Sequence, residues 1–503
     1  MSLGRPTGSG PEPESATAIV AAVREGRRRA VDVVEGVVCR HEATHAAINA
    51  LVQPRFAAAA AEAAAVDLVK EGQGLTLPRD ASRPLAGVPV SIKECFGVRG
   101  LRTTLGIPTR AGLIDTADAE IVVRLRAAGA VVVGKANVPQ AMYLHETDNP
   151  VWGRTNHPKN PSRGPGGSSG GDAAVVAAGV VPLAVGNDLA GSLRQPAHAC
   201  GIATIMPRSA VLGDGGGFGT LPHLRVIRPR AGFLARSVSD LRLALGAVTS
   251  SATADVRLPS RVGYWDTAGP IPASAAIRRG VAEAVNRLEA AGIEAVPLAG
   301  SLADEAAWLQ LALLSADGGA DIRRLLGTTR PMRSIRRLLG MASLPGGWRP
   351  LVAGAARLMG RRLEARGLIE TGPRDEAGLA DLLAARERLA ERFAELTTGC
   401  DAVICPVSAL PALRHGTAAR LVLAAAPCLL ANLLDLAAGG VPVTRVLPDE
   451  QAGRAWSPDP VLRAAAATDR GSAGLPIGVQ IIAPPGGDEV TVLATMRLIE
   501  QAA

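Results

Sequence analysis

The chain has 503 residues, 48% of them hydrophobic, enough apolar material for one large domain or two to three ordinary ones. Its 54 Lys and Arg against 46 Asp and Glu give a net charge of +8. The two signs are interspersed and aromatic residues make up only 2% of the chain, which leaves little for base stacking and argues against a nucleic-acid-binding function.

The first residues, MSLGRPTGSGPEPES, are rich in Pro and Gly and lack the apolar core of a signal peptide. Residues 1–14 therefore read as a flexible tail and 15–503 as the folded part. Two helices are expected from Ala16 to Leu51. The second contains HEATH, His41 to His45, the H-E-x-x-H pattern of zinc proteases. No third ligand follows at metzincin spacing and the chain has only 7 histidines, so an ordinary helix with partly exposed histidines is expected, with no metal. Phe56 to Lys70 is an Ala-rich helix ended by Gly72.

Pro84 to Glu94, PLAGVPVSIKE, reads as a strand ending in Lys93, one of few lysines in an arginine-rich chain. Burial there lowers an amine's pKa and leaves the neutral form that a general base needs. An amphipathic helix over Asp118 to Gly129 and a strand over Ala130 to Ala136 follow, and this β, helix, β order predicts a parallel core sheet. Lys135 and His145 are the alternative bases; the strand of Lys135 lies one further along.

The stretch Gly164 to Gly201, GPGGSSGGDAAVVAAGVVPLAVGNDLAGSLRQPAHACG, places two glycine-flanked serines at either end of a helix-then-strand unit. Ser168 falls at the N-terminus of a helix that includes Asp172 and runs to Ala178. The apolar run VPLAVGND predicts a buried strand, and Ser192 lies past its C-terminal end, where ligands bind in open α/β sheets. Gly166 to Gly170 also fits G-x-S-x-G, but that motif must follow a strand and NHPKNPSRGP is a loop. A Ser168 nucleophile with His223 or His415 is thus the runner-up. Gly213 to Thr220, GDGGGFGT, matches no nucleotide-binding spacing and reads as a loop near the site.

Helices recur at Ala273 to Gly292 and Glu376 to Thr397, with strands at Ile293 to Pro297 and Ala402 to Cys405. Between them, Asp321 to Ile369 is both basic and apolar. Met332, Ile335, Leu338, Leu339 and Ala342 share one helical face, and Leu351, Ala355, Leu358 and Met359 another, with arginines around them. Leu421 to Val443 comes nearest to a membrane span but is broken by Pro427, Asn432 and Asp435. Cys39, Cys95, Cys200, Cys400, Cys405 and Cys428 show no ligand-type pairing and read as reduced core cysteines of a cytoplasmic protein.

Six segments, SIKECFGV, KANVPQ, ETDNPVWGRTNHP, GPGGSSGG, GNDLAGSLRQPA and GLPIGVQIIAPP, together resemble the amidase signature family, over most of residues 15 to 500. Within it the likeness is to fatty acid amide hydrolases, through NLLDLAAGGVPVTRVLPDE (Asn432 to Glu450) and the 321–369 segment. The resemblance implies an α/β fold of the amidase signature type: a mixed central β-sheet flanked by helices in a single large domain, with 321–369 a helical cap insertion. It also implies hydrolysis of a small-molecule carboxamide by a Ser-Ser-Lys triad, with no cofactor. Ser192 would be the nucleophile, Ser168, in a cis peptide linkage, the proton relay, and Lys93 the base. The N–H groups of Leu189, Ala190, Gly191 and Ser192 would form the oxyanion hole, Met142 would line the pocket, and NPVWGRTNHP would brace the Ser168 turn. The cap would touch membranes and admit an acyl chain; a lid packed on the same domain or a second subunit is the alternative. A homodimer is the default assembly.

The sequence departs from the family at Asn187, where Thr or Ser is usual, at Ala190 for Gly, at Met206 to Val211, and at Gln195, where an apolar residue is common. The same scaffold serves as the amidase subunit of amidotransferases, so acyl transfer to an amine stays open, as does a non-catalytic relative.

Overall fold

Eleven strands form the frame: β1 (Leu51–Pro54), β2 (Pro89–Lys93), β3 (Val131–Ala136), β4 (Leu183–Asp188), β5 (Ala203–Met206), β6 (Arg230–Ala235), β7 (Arg261–Tyr264), β8 (Glu294–Pro297), β9 (Ala402–Pro406), β10 (Ala438–Arg445) and β11 (Pro476–Ile482). They pair into one sheet in the order β1-β3-β2-β4-β6-β5-β10-β11-β9-β7-β8. The computed structural model describes residues 13–70, 83–224, 226–249, 258–298 and 302–502.

The sheet is mixed. The parallel pairing expected from the β, helix, β order holds for β3-β2-β4 and again for β9-β7-β8. Antiparallel pairs from β4 to β9 join these two parallel sets, which gives the mixed sheet that was expected.

Helices cover both faces, and strand residues alternate between the two layers with the period of two. Val132 joins one apolar cluster while Val131 and Val133 join the other; Leu183 and Val185 likewise oppose Ala184. Because both faces are covered, β2 to β4 are buried along their whole length, including the polar residues at their C-terminal ends.

Most helices stand where periodicity placed them: Ala16–Glu25 and Ala30–Ile48, Phe56–Lys70, Glu120–Ala127, Ala275–Ala290 and Glu376–Leu396. Residues 1–12 of the expected tail, and Gly72, lie outside the described residues. The rest of that tail is anchored, since Arg236 Nη2 donates to the carbonyls of Pro13 (3.0 Å) and Glu14 (2.6 Å). Leu421 to Val443 folds as the short helix Ala426–Leu433 followed by β10, and no helix among the described residues is long and apolar enough to cross a membrane. Of the six cysteines, Cys39 is exposed and Cys400 half-buried, so the core assignment holds for the other four only.

The cap segment is helical throughout: Ala320–Leu326, Arg333–Ala342, Arg349–Leu358 and Arg362–Glu370. Its first apolar stripe turns inward, with Ile335, Leu339 and Ala342 buried. The second turns outward: Leu351 is 66% exposed, Leu358 92% and Met359 61%, while the buried side of that helix is formed by Ala353 and Ala356.

Candidate active site

β2 and β4 are hydrogen-bonded parallel neighbours, so their C-terminal ends come out on the same edge of the sheet. Lys93 ends one, and the turn carrying Ser192 follows the other. The helix Gly170–Ala177 begins just after Ser168 and brings that serine to the same edge.

Lys93 is fully buried. Its Nζ lies 2.8 Å from Ser168 Oγ, 2.9 Å from Ser169 Oγ, 2.6 Å from Asn187 Oδ1 and 3.3 Å from the Asn187 carbonyl. Burial pushes the ammonium below its ordinary pKa, opposed by charge on Cys95, Asp172 and Asp188. The Asp172 carboxyl is fully buried, and that burial raises it well above its ordinary value, against the pull of Lys93.

The Gly167–Ser168 peptide is cis. Its turn is held from outside by Thr147 Oγ1, which donates to the Gly166 carbonyl at 2.8 Å, and by Gln195 Oε1, which accepts the Gly167 N–H at 3.2 Å. The bracing expected of residues 149–158 thus falls to Thr147, two positions earlier, and to Gln195. Ser169 N–H donates to the Ser192 carbonyl at 3.1 Å, tying the two serine turns together.

Beyond Ser192 the loop is fixed from below by a buried ion pair. Asp188 Oδ1 is 3.1 Å from Arg194 Nη2, and both side chains are fully buried. Burial alone would raise the Asp188 carboxyl, but Arg194 and the donors of Leu193 and Asn432 outweigh it and hold it well below the carboxylate range. Asp188 Oδ1 also accepts the Gly191 N–H at 2.6 Å, and Asn432 Oδ1 lies 3.1 Å from the same nitrogen. The Gly191 N–H, one of the four donors expected of an oxyanion hole, is thus hydrogen-bonded to Asp188. The N–H groups of Leu189, Ala190 and Ser192 have no acceptor among the described residues.

Two further side chains fix this loop. Gln310 Nε2 donates to the Leu189 carbonyl at 2.7 Å, and His145 Nε2 is 3.0 Å from the Ala190 carbonyl. In a planar trans peptide the N–H points opposite to the C=O, so anchoring the Leu189 carbonyl turns the Ala190 N–H the other way, toward open space. Facing a carbonyl, His145 carries its proton on Nε2, and burial lowers its pKa and keeps it neutral.

Other sequence candidates lie apart. Lys135 Nζ pairs with Asp115 Oδ2 at 3.0 Å and donates to Thr103. His415 Nε2 faces the Pro161 carbonyl at 3.1 Å, and His223 Nδ1 lies 2.7 Å from Asp321 Oδ2, so neither serves Ser168. His41 and His45 stack on each other with ring centroids 4.6 Å apart. Among the described residues, one group has metal-compatible spacing, His223 with Asp317 and Asp321. Its carboxylates are filled by the N–H groups of Gly319, Asp321 and His223 and by Arg324, which makes it a hydrogen-bonded cluster.

Ser192, Met142, Leu189 and Ala190 open onto a mainly apolar cavity of about 230 Å³. Trp308, Leu311, Leu314, Leu423 and Leu429 line it, and Leu338 and Met341 of the cap close it. Gly191 does not reach it.

The profile of the amidase family matches residues 32–492. Fatty acid amide hydrolase 1 of Caenorhabditis elegans is 30% identical over 85% of this chain and 78% of its own length. Fatty-acid amide hydrolase 1 of Sus scrofa is 32% identical over 86% of this chain and 76% of its own length. A solved fatty acid amide hydrolase superposes with a TM-score of 0.82 at 20% identity, covering 97% of this chain and 85% of that one. With that sheet order, that serine-rich turn and these relatives, the chain belongs to the amidase signature family and is an amide hydrolase.

Proposed function

We propose that the protein cleaves a carboxamide with an apolar acyl part through an acyl-enzyme on Ser192. The observation that carries this is the fully buried Lys93 amine 2.8 Å from Ser168 Oγ, beside a turn that delivers Ser192 to an apolar cavity. Neutral Lys93 takes the Ser168 proton while Ser168 takes that of Ser192, whose oxygen attacks the carbonyl carbon. The N–H groups of Leu189, Ala190 and Ser192 receive the developing oxyanion. As the C–N bond breaks, the proton returns through Ser168 to the nitrogen, so the amine leaves neutral. Water then repeats the sequence in place of Ser192 and releases the acid.

Intact mass after a fluorophosphonate, and after a panel of aliphatic and aryl amides, tests this. An adduct confined to Ser192, lost in Ser192→Ala and Lys93→Ala, is expected, with turnover falling roughly 10⁴-fold or more in either variant. No adduct in folded protein overturns it, and turnover only with an added amine acceptor replaces hydrolysis by acyl transfer.

The outward stripe of the cap supports a second reading, peripheral contact with a lipid surface. Trp348, 60% exposed, joins Leu351, Val352, Leu358 and Met359, with Arg357, Arg362 and Arg366 beside them. Co-sedimentation with vesicles containing anionic lipid is the expected result; no binding at low salt removes this reading.

A further inference from the structure

Beside the apolar cavity lies a second one of about 510 Å³ whose walls carry several charged side chains. The two share Leu144, Arg337, Ala419 and Arg420 as walls. The backbone fixes which side of the reaction it serves. A Cβ placed on Gly167 would sit 2.7 Å from the Leu144 carbonyl oxygen and 3.0 Å from the Glu146 nitrogen. Leu144 and Glu146, which both line the second cavity, therefore pack against the residue before Ser168. In the proposed reaction Ser168 hands the proton to the departing nitrogen, so an acyl group seated in the apolar cavity directs its amine half toward this flank.

The charges here do not cancel. Arg154, Arg333, Arg337 and Arg420 face two acids, Glu146 and Asp148. Glu146 is already answered: it accepts the N–H of Gly416 and, at 3.4 Å, that of Ala418, and stands 3.8 Å from His415 Nδ1. Burial raises the Asp148 carboxyl, with Arg154 opposing. Arg337 donates to Glu364 Oε1 at 2.7 Å. Arg333 and Arg420 pair with no carboxylate among the described residues, so the cavity retains two unanswered guanidinium groups, forks suited to a carboxylate.

We propose that this cavity binds an anionic amine half, making amides whose nitrogen carries a short carboxylate-bearing chain, the N-acyl amino acid class, the preferred substrates. This rests on the reaction proposed above. Water adds across the C–N bond, releasing the fatty acid and a free amino acid whose nitrogen has received the proton from Ser168.

The test compares N-oleoylglycine with oleamide and N-oleoylethanolamine, which share one acyl chain. The wild-type protein is expected to favour the glycine conjugate in kcat/KM by about tenfold at low salt, through KM, and to lose most of that preference at high salt. Arg333→Gln should lower the ratio of glycine conjugate to oleamide several-fold, and Arg333→Lys should restore part of it. Binding of N-oleoylglycine to Ser192→Ala, followed by calorimetry with and without Arg333→Gln, reads the subsite without turnover. A wild-type preference for the neutral amides, or a ratio and a binding constant that Arg333→Gln leaves unmoved, overturns the proposal. Failure of all three amides together with tight, arginine-dependent binding of N-oleoylglycine would instead overturn the catalytic reading and leave the subsite standing.

Discussion

The side-chain carbonyl of Asn187 stands 2.6 Å from the Lys93 amine, nearer than the Ser168 hydroxyl at 2.8 Å. An amide oxygen only accepts hydrogen bonds, so it takes one N–H of the neutral amine and leaves the lone pair for Ser168. The same oxygen favours the ammonium over the amine and works against the lowering of the pKa by burial.

A pH profile follows. The base must be uncharged, so kcat/KM rises with pH as Lys93 loses its proton, at a pH below the ordinary lysine value. Asn187→Leu, similar in size but without the acceptor, destabilises the ammonium further and should move this acid limb to lower pH. A limb that stays in place, or moves up, would show that Asn187 does not set the state of Lys93.

Gln310 reaches the loop from a helix far away in sequence, Leu302–Leu314, and holds the Leu189 carbonyl. Gln310→Leu removes the donor that aims the Ala190 N–H. We expect kcat to fall by roughly 10- to 100-fold with KM little changed, by comparison with the loss of one oxyanion donor. A change confined to KM would place Gln310 in substrate binding instead.

Asp188 and Arg194 are both sealed from water, and Asp188→Asn leaves the guanidinium without its counter-charge. Removing one partner of a buried pair costs about 3–5 kcal/mol, measurable by denaturant unfolding. Because Asp188 is held below its unfolded pKa of about 3.9, its contribution is complete above that pH and is lost only as the solution is acidified through the folded value. The Asp188→Asn deficit should therefore be constant from neutral pH down to mild acid.

The outward face of the cap makes few packing contacts, so Leu351→Glu with Leu358→Glu should change stability by no more than about 0.5 kcal/mol each. The same pair should abolish vesicle binding while leaving fluorophosphonate labelling of Ser192 intact. Loss of both would mean that the pair disturbs the fold.

Much of this site could be read from the chain alone, because its signals are local. Glycines around Ser168 and Ser192, and the β-branched run ending in Lys93, carry their meaning within a few positions. What escaped reading depends on residues far apart in sequence. Asn432 meets Asp188, and Gln310 meets Leu189, only because the sheet and its helices bring those segments together. The commitment of the Gly191 N–H to Asp188, only three positions away, was hidden for another reason: composition announces a donor but not its partner. The second apolar stripe of the cap shows the limit of periodicity, which finds a face and not what it faces.

The loop after β4 is suspended from an internal ion pair, a glutamine and a histidine, all contributed by the protein itself. Its amide dipoles are thus arranged when the polypeptide folds, once in the life of each molecule. In the proposed reaction, successive turnovers inherit a finished electrostatic environment and need no rearrangement of solvent to greet the charge they create.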